Sequence, residues 1–82
     1  MRLAQYVKFR EEKFGGVLFE TRSEKVFTLN PTATAVVREI ASGDEATITA
    51  RLKDRFLDRG GAIERDVSAF LADLRQRGLI EG

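Results

Sequence analysis

The stretch from Gly16 to Pro31, GVLFETRSEKVFTLNP, constrains the fold more than any other part of the chain. Two apolar runs, Val17–Phe19 and Val26–Leu29, flank the polar segment Glu20–Lys25. This pattern predicts two antiparallel strands, joined by a loop of about three to five residues because the Asn-Gly signature of a two-residue turn is absent. Asn30-Pro31 then predicts an abrupt helix start, since asparagine caps free N–H groups and proline fits the first helical position. The second strand of this hairpin should therefore lead straight from a small sheet into a helical half.

An earlier strand is predicted at Tyr6–Arg10, where apolar and charged residues alternate. Val7 and Phe9 fall on one face and the two basic residues on the other, the period of a half-buried strand. Phe14-Gly15-Gly16 predicts the turn that follows, because paired glycines supply the positive φ angles of tight connections. We expect the three strands to form a meander in chain order, which leaves the outer edges of the first and third strands unpaired.

Three helical patterns follow the sheet. We expect the first helix to end at Gly43, the second to begin at Asp44 or Thr47 and end at Gly60-Gly61, and the third to end at Gly78. The remaining residues, Leu-Ile-Glu-Gly, should fold back so that the leucine and isoleucine reach the core. The apolar positions recur at helical spacing: Ala33, Val36, Val37, Ile40 and Ala41 in the first helix, Ile48, Leu52, Phe56 and Leu57 in the second, and Ile63, Val67, Phe70, Leu71 and Leu74 in the third.

Length and composition limit what such a chain does. Its 82 residues predict one domain, residues 1–82, of the α+β class with three strands followed by three helices. It contains no His and no Cys, so the usual metal ligands and the commonest general base are absent. The serines fall in a turn, at a helix end and on an exposed helix flank. We therefore expect a protein without enzymatic activity, metal or cofactor.

Charge and hydropathy indicate neither a membrane protein nor a dedicated nucleic-acid binder. The net charge is only +1. No apolar run approaches the roughly 20 residues needed to span a bilayer, and the N-terminus lacks the apolar region of a signal peptide. The expected location is the cytoplasm.

The third strand, with Lys25, Val26, Phe27, Thr28 and Leu29, is the most exposed edge that the pattern predicts. An unprotected edge invites pairing with another strand, and here only the lysine opposes it. The residues alone leave two interpretations open. The edge is either a docking site for an extended peptide by β-augmentation, or it is covered by the C-terminal helix or by a second copy of the protein.

The borders of the third helix are the other candidate surface. Asp66, Asp73 and Arg77 lie along one border with Phe70 at its edge, and Glu64, Ser68 and Arg75 lie along the other. By residue type alone, both borders are typical of a solvated helix whose charges complement its dipole. Three helices with a small sheet also describe a winged helix, so a DNA-binding or transcription-associated domain is an alternative. The third helix is formally neutral, however, and a recognition helix is expected to be basic.

The order and spacing of several segments resemble the PqqD-like family, whose members recognise ribosomally made, post-translationally modified peptides. The resemblance spans nearly the whole chain. The family's pyrroloquinoline quinone members carry tryptophan near the second strand, whereas this chain has none. The resemblance therefore points to PqqD-like proteins of other peptide pathways. The matching segments are Val7–Arg10, Phe14–Phe19, Leu29–Ala33, Glu64–Val67, Phe70–Leu74 and Gly78–Ile80.

The resemblance implies a winged-helix-like fold and a peptide-binding function. The leader segment of a precursor peptide would add as a strand to the third strand, lie against the third helix, and be presented to a modifying enzyme, often a radical-SAM maturase. Leader side chains would enter a cleft between Val26 or Thr28 and Phe70 or Leu74, and the strand register decides whether Val26 and Thr28 or Phe27 and Leu29 face outward. The protein would be a monomer or dimer, and a purely structural dimerisation module is a further alternative. The implied peptide-binding residues are Lys25, Val26, Phe27, Thr28, Leu29, Asp66, Phe70, Asp73, Leu74 and Arg77.

Overall fold

The computed structural model of the chain describes residues 1–56 and 60–82. Three strands, β2 (Val7–Glu12), β3 (Gly15–Glu20) and β4 (Lys25–Leu29), form an antiparallel sheet in that order, so the predicted meander is confirmed. Three helices follow, which confirms the α+β class. None of the described helices is long and apolar enough to cross a membrane. The elements are β1 (Arg2–Leu3), β2 (Val7–Glu12), β3 (Gly15–Glu20), β4 (Lys25–Leu29), α1 (Pro31–Glu39), a 3₁₀ helix (Ile40–Ser42), α2 (Glu45–Arg55), α3 (Ala62–Gln76) and β5 (Ile80–Glu81).

A second, two-stranded sheet joins the ends of the chain and was not predicted. β1 and β5 pair antiparallel, with Arg2 opposite Glu81 and Leu3 opposite Ile80. The predicted return of the last residues to the core is confirmed, since Leu79 and Ile80 are buried. The return takes the form of a strand because the first residues of the chain lie beside it.

Both helix starts that the pattern indicated are made by side-chain caps. The Asn30 side-chain oxygen accepts a hydrogen bond from the Ala33 backbone N–H at 2.8 Å, and Pro31 occupies the first helical position. Asp44 caps α2, since its carboxylate accepts from the backbone N–H of Thr47 at 2.9 Å. The choice between Asp44 and Thr47 is thus decided in favour of the aspartate, which also complements the helix dipole.

The end of the first helix differs from the prediction. α1 ends at Glu39, and the chain continues through the 3₁₀ helix Ile40–Ser42 before it reaches Gly43. The φ angle of Gly43 is −166°, which is extended backbone and not the left-handed cap that was predicted. Tighter 3₁₀ turns are common at the ends of α-helices, and here such a turn, and not the glycine, ends α1.

Of the other two helix ends, one differs from the prediction and one agrees with it. α2 ends at Arg55, earlier than the predicted Gly60-Gly61. Leu57, which was placed in the apolar stripe of this helix, lies outside the described residues. Gly78 follows the end of α3 with a φ angle of +73°, the left-handed conformation that glycine adopts most readily. The predicted end of the third helix is confirmed.

The core lies between one face of the three-stranded sheet and the helices. This inner face carries Val7, Leu18 and Leu29, which are buried against apolar residues of all three α-helices. The opposite, outer face carries Phe19, directly across from Val26. Phe19 belongs to an apolar run of the predicted hairpin, yet its side chain is 36% exposed. It follows Leu18 in the strand and must therefore point to the other face.

Gly15 and Gly16 do not form the turn that their pairing predicted. The turn lies at Lys13-Phe14, and β3 begins with the glycines. Gly15 has a φ angle of +145°, and a Cβ atom there would lie 2.1 Å from the Leu29 carbonyl oxygen. A Cβ on Gly16 would lie 2.8 Å from the Thr34 hydroxyl oxygen. The glycines are required because β3 passes directly against the junction of β4 and α1.

Substitution of Gly15 by alanine should therefore be far more costly than the same change at an unobstructed glycine. We expect Gly15→Ala to lower the free energy of unfolding by about 3 kcal/mol, through backbone strain and the clash with Leu29. Gly60→Ala is the matched control, because Gly60 also has positive φ, +64°, but no atom lies within 4 Å of an added Cβ. Its expected cost is about 1 kcal/mol. Urea denaturation followed by circular dichroism compares the two, and equal losses would contradict the close approach.

The loop before β4 is organised by one carboxylate. The loop spans residues 21–24, within the predicted length. The Glu20 carboxylate accepts hydrogen bonds from the backbone N–H groups of Arg22, at 2.9 Å, and Ser23, at 3.3 Å, and from the Ser23 hydroxyl. These bonds hold the pKa of Glu20 below its ordinary value of 4.5, and the bond from the Ser23 hydroxyl has the largest effect.

The lowered pKa of Glu20 makes the loop sensitive to acid. The folded protein binds this proton less readily than the unfolded chain, so the contribution of Glu20 to stability is complete above about pH 4.5 and is lost as the pH falls through the lower folded-state pKa. We expect the Ser23 amide resonance to shift with a midpoint below 4.5. Nuclear magnetic resonance (NMR) titration measures this midpoint. Glu20→Gln should abolish the shift, and a shift that persists in that variant would assign it to another group.

Candidate functional site

The outer edge of β4 is open in the described part of the chain. Within residues 1–56 and 60–82, β4 pairs with β3 and with no other strand. The described part of the chain also contains no group of acidic side chains arranged to hold a metal ion. The edge is thus the feature from which a candidate site is built.

One hydrogen bond establishes which residues of β3 face each neighbour. The Thr21 backbone N–H donates to the Tyr6 carbonyl oxygen at 2.9 Å. This pair lies one step beyond the aligned pair Val7 and Glu20. Because bonded and non-bonded pairs alternate along an antiparallel ladder, the backbone groups of Phe19 and every second residue from it point toward β2. The residues between them, including Glu20, point toward β4.

The same alternation identifies the backbone groups exposed on β4. Leu18 is aligned with Phe27, so this pair exchanges hydrogen bonds within the sheet, as does the pair that contains Lys25. The backbone N–H and C=O groups of Val26 and Thr28 consequently point away from β3, toward the free edge. The open edge of β4 thus presents the backbone groups of two residues, both of them exposed.

The C-terminal end of α3 lies beside the middle of β4. The guanidinium carbon of Arg77 is 5.4 Å from the centre of the Phe27 ring, within the range of a cation–π contact. The Nε of Arg77 also donates to the Asp73 carboxylate, at 3.0 and 3.1 Å to its two oxygens. Both partners of this ion pair are half exposed, which leaves the pair accessible to a ligand. Phe27 is therefore a half-buried ring at the boundary between sheet and helix.

A cavity of about 240 Å³ opens at the other end of the β4 edge, between the start of α1 and the middle of α3. Asn30, which immediately follows β4, is part of its lining, so the edge leads directly to the cavity. The lining is apolar where the two helices approach and polar at Asn30, Thr32 and Asp66. Its apolar residues are Ala33, Val36, Val67 and Phe70.

The structure brings one border of α3 next to this edge. Asp66 and Phe70 line the cavity, and Arg77, bonded to Asp73, contacts Phe27. The opposite border turns toward α2. There, Glu64 lies 3.7 Å from the Lys53 ammonium group. The acidic border that the resemblance singled out is therefore the one beside β4.

Two of the predicted site residues have side chains in the core. Leu29 is 5% exposed and Leu74 is 3% exposed, and both belong to the main apolar cluster. A ligand at the edge would not reach these side chains. Their contribution is to hold β4 and α3 in place.

The prediction that Val26 or Thr28 forms a cleft with the third helix is wrong. The helices cover the inner face of the sheet, and both residues place their side chains on the outer face with Phe19. Phe27 is the β4 residue whose side chain faces α3. The amino-acid pattern of β4 left both registers open, since a shift of one residue exchanges the faces.

Some residues of the cavity were not identified from the sequence as site residues. Asn30 was recognised as a helix cap only, and Ala33, Val36 and Val67 as core residues. Residue type carries no signal for their second role, because the cavity arises from the way α1 and α3 pack. The one available indication was the position of Asn30, directly after the exposed strand.

Comparison with known proteins identifies the family. The chain belongs to the PqqD family, since the family model described as coenzyme PQQ synthesis protein D matches residues 15–80. The resemblance inferred from the sequence is thus confirmed. A comparison with curated proteins finds no match.

Two solved structures are similar to this chain over almost their whole length. One is described as "Lasso peptide synthetase B1 complexed with the leader peptide", with 26% identity and a TM-score of 0.83, covering 99% of this chain and 96% of that one. The other is "TbiB1 in Complex with the TbiA(beta) Leader Peptide", with 19% identity and a TM-score of 0.87, covering 100% and 96%. At its lower identity the second structure supports the fold alone.

The alternation along β4 predicts a pattern of amide exchange. We expect the amide protons of Val26 and Thr28 to exchange rapidly with solvent, and those of Phe27 and Leu29 to be protected, because only the latter pair donates within the sheet. Hydrogen–deuterium exchange followed residue by residue by NMR measures this. Protection of Val26 and Thr28 as well would show that a second copy or another segment covers the edge.

Proposed function

We propose that this protein binds the leader segment of a ribosomally made precursor peptide as an added strand on β4, and presents the peptide to a modifying enzyme. The observation that carries the proposal is the open edge of β4, which ends next to the 240 Å³ cavity. Membership of the PqqD family supports it. So does the description of the first similar structure, which is a complex with a leader peptide.

Backbone pairing supplies the part of the affinity that does not depend on peptide sequence. Val26 and Thr28 each offer one N–H and one C=O group at the edge. An added strand satisfies these groups, and each hydrogen bond contributes about 0.5–1.5 kcal/mol net. The strand is already extended and held by β3, so little ordering of the protein opposes binding.

Side chains of the peptide that point to the inner face supply the specificity. A peptide residue opposite Phe27 lies on the same face as the Phe27 ring and meets Arg77 and Asp73 on α3. A residue further along the strand reaches the cavity at Asn30. An apolar side chain buried there contributes about 1.5–3 kcal/mol, and the exposed carboxylate of Asp66 favours a cation or hydrogen-bond donor beside it.

The role proposed for the protein is recognition, and catalysis belongs to its partner. The bound leader occupies one edge and leaves the rest of the precursor free to enter an enzyme active site. The family resemblance suggests a radical-SAM maturase, while the description of one similar structure suggests an enzyme of the lasso peptide synthetase kind.

The DNA-binding alternative has less support from the same surface. The charges of α3 and the arginine that follows it balance, and Arg77 is paired with Asp73. A helix that enters the major groove needs free cations to contact phosphates. The charged residues of α3 and its C-cap are Glu64, Arg65, Asp66, Asp73, Arg75 and Arg77.

A proline at the edge tests strand addition directly. Thr28→Pro removes an N–H group that points to solvent and not into the sheet, so the fold should tolerate it, as edge strands tolerate proline. We expect affinity for the leader of the precursor encoded in the same gene cluster to fall about tenfold or more, since one bond is lost and the ring obstructs the others. Thr28→Val, which keeps the amide, is the matched control and should bind normally.

The titration is followed by backbone amide shifts of the labelled protein. Shifts at Val26, Thr28 and the α3 border from Asp66 to Arg77 are expected with the wild type. Equal affinity of the proline and valine variants would contradict strand addition. Absence of binding with the modifying enzyme also present would contradict leader recognition itself.

A further inference from the structure

The outer face of the sheet carries an exposed apolar cluster beside the open edge. It consists of Val17, Phe19 and Val26, and we call it the outer cluster. Val26 is 59% exposed and Phe19 is 36% exposed, although both lie in regular strands. Single exposed apolar residues are ordinary. Adjacent ones that reach an unpaired strand edge indicate a surface that is covered in the functional state.

The sheet register arranges this face in two rows that cross the strands. One row runs Lys8, Phe19, Val26 and the other runs Arg10, Val17, Thr28. Each row ends at β4, so its next position is the one that an added strand would fill. Side chains directly opposite each other on neighbouring strands lie about 4.5–5.5 Å apart at Cβ and interact energetically.

We propose that the outer cluster recognises the bound peptide on the outer face of the sheet, by contacting an apolar side chain placed directly opposite Val26. This inference rests on the proposed function and deepens it. An added strand must direct alternate side chains to opposite faces, so one set meets α3 and the cavity while the other continues the two outer rows. The peptide is thereby recognised on both faces.

The chemistry of the rows defines what each position accepts. Beside the edge, the first row ends in Phe19 and Val26, so the peptide residue opposite Val26 is aliphatic or aromatic. The second row ends in Thr28, so its neighbour two residues along is β-branched or a small hydroxyl residue. The cations of this face lie on β2, which two strands separate from the peptide, and Arg10 pairs with Glu12 at 2.6 Å. The outer cluster therefore selects for apolar character and not for charge.

Introducing opposite charges at Val26 tests this proposal without knowledge of the natural precursor. The probe is a displayed library of random peptides, selected in parallel on the wild type, Val26→Glu and Val26→Lys. Val26 is exposed, so these changes should leave the fold intact, which circular dichroism verifies. We expect the glutamate variant to enrich Lys or Arg, and the lysine variant to enrich Asp or Glu, at the position where wild-type binders carry an apolar residue.

The control is Lys8→Glu, which changes charge on the same face but on β2. It should enrich the wild-type consensus. A synthetic peptide selected on the wild type should bind Val26→Glu about fivefold more weakly and bind Lys8→Glu unchanged.

The outcomes separate the inference from the function on which it rests. One outcome is that all variants enrich one consensus whose binders shift the amide resonances of residues 26 and 28. In that case strand addition holds, and the proposed recognition by the outer cluster is wrong. If no variant enriches peptides that shift these amides, the proposed function and the inference both fail. If the wild type sediments as a dimer that Val26→Glu dissociates, a second copy covers the cluster and the inference is overturned.

Discussion

The close approach of Gly15 to the Leu29 carbonyl is the constraint on which the rest of the site depends. It allows β3 to pass against the point where β4 becomes α1, with no side chain between them. The turn from strand to helix at Asn30 is thereby pressed onto the sheet, and the start of α1 is brought toward α3. A larger residue in β3 would separate these elements and alter the cavity that lies between the two helices.

The pleat and the hydrogen-bond ladder together divide the work among the residues of β4. Val26 and Thr28 point their backbone groups toward the open edge and their side chains away from the helices. Phe27 does the reverse, with its backbone bonded to β3 and its ring near Arg77. Affinity through the backbone and discrimination through side chains thus reside in alternate residues, so a change of one need not disturb the other.

Most of the architecture could be predicted from local signals. Alternation identified β2, the charged interval between two apolar runs identified the hairpin, and Asn30-Pro31 identified the start of α1. These signals are reliable because neighbouring residues produce them. The pairing of β1 with β5 carried no such signal, since strands of two residues have no measurable period and lie at opposite ends of the chain.

The site was harder to predict because it depends on orientation. The residue types of β4 were read correctly as an exposed edge, but the pleat that sends Phe27 toward α3 and Val26 outward is set by pairing with β3. Gly15 and Gly16 were taken for a turn because glycine signals both positive φ and close packing, and only the neighbours of the strand distinguish the two. The cavity residues likewise acquire their position from the packing of α1 on α3.

The pairing of β1 with β5 has a consequence for how this fold can be joined to another domain. It brings residues 1 and 82 side by side, near Ala41 at the far end of α1 from the cavity. The nine residues of α1 span about 13 Å along the helix axis. Both ends of the fold therefore leave it at one spot, remote from the cavity. Such a geometry permits covalent insertion into, or fusion with, an enzyme while the cavity remains unobstructed, so that recognition and modification can reside on one polypeptide as readily as on two.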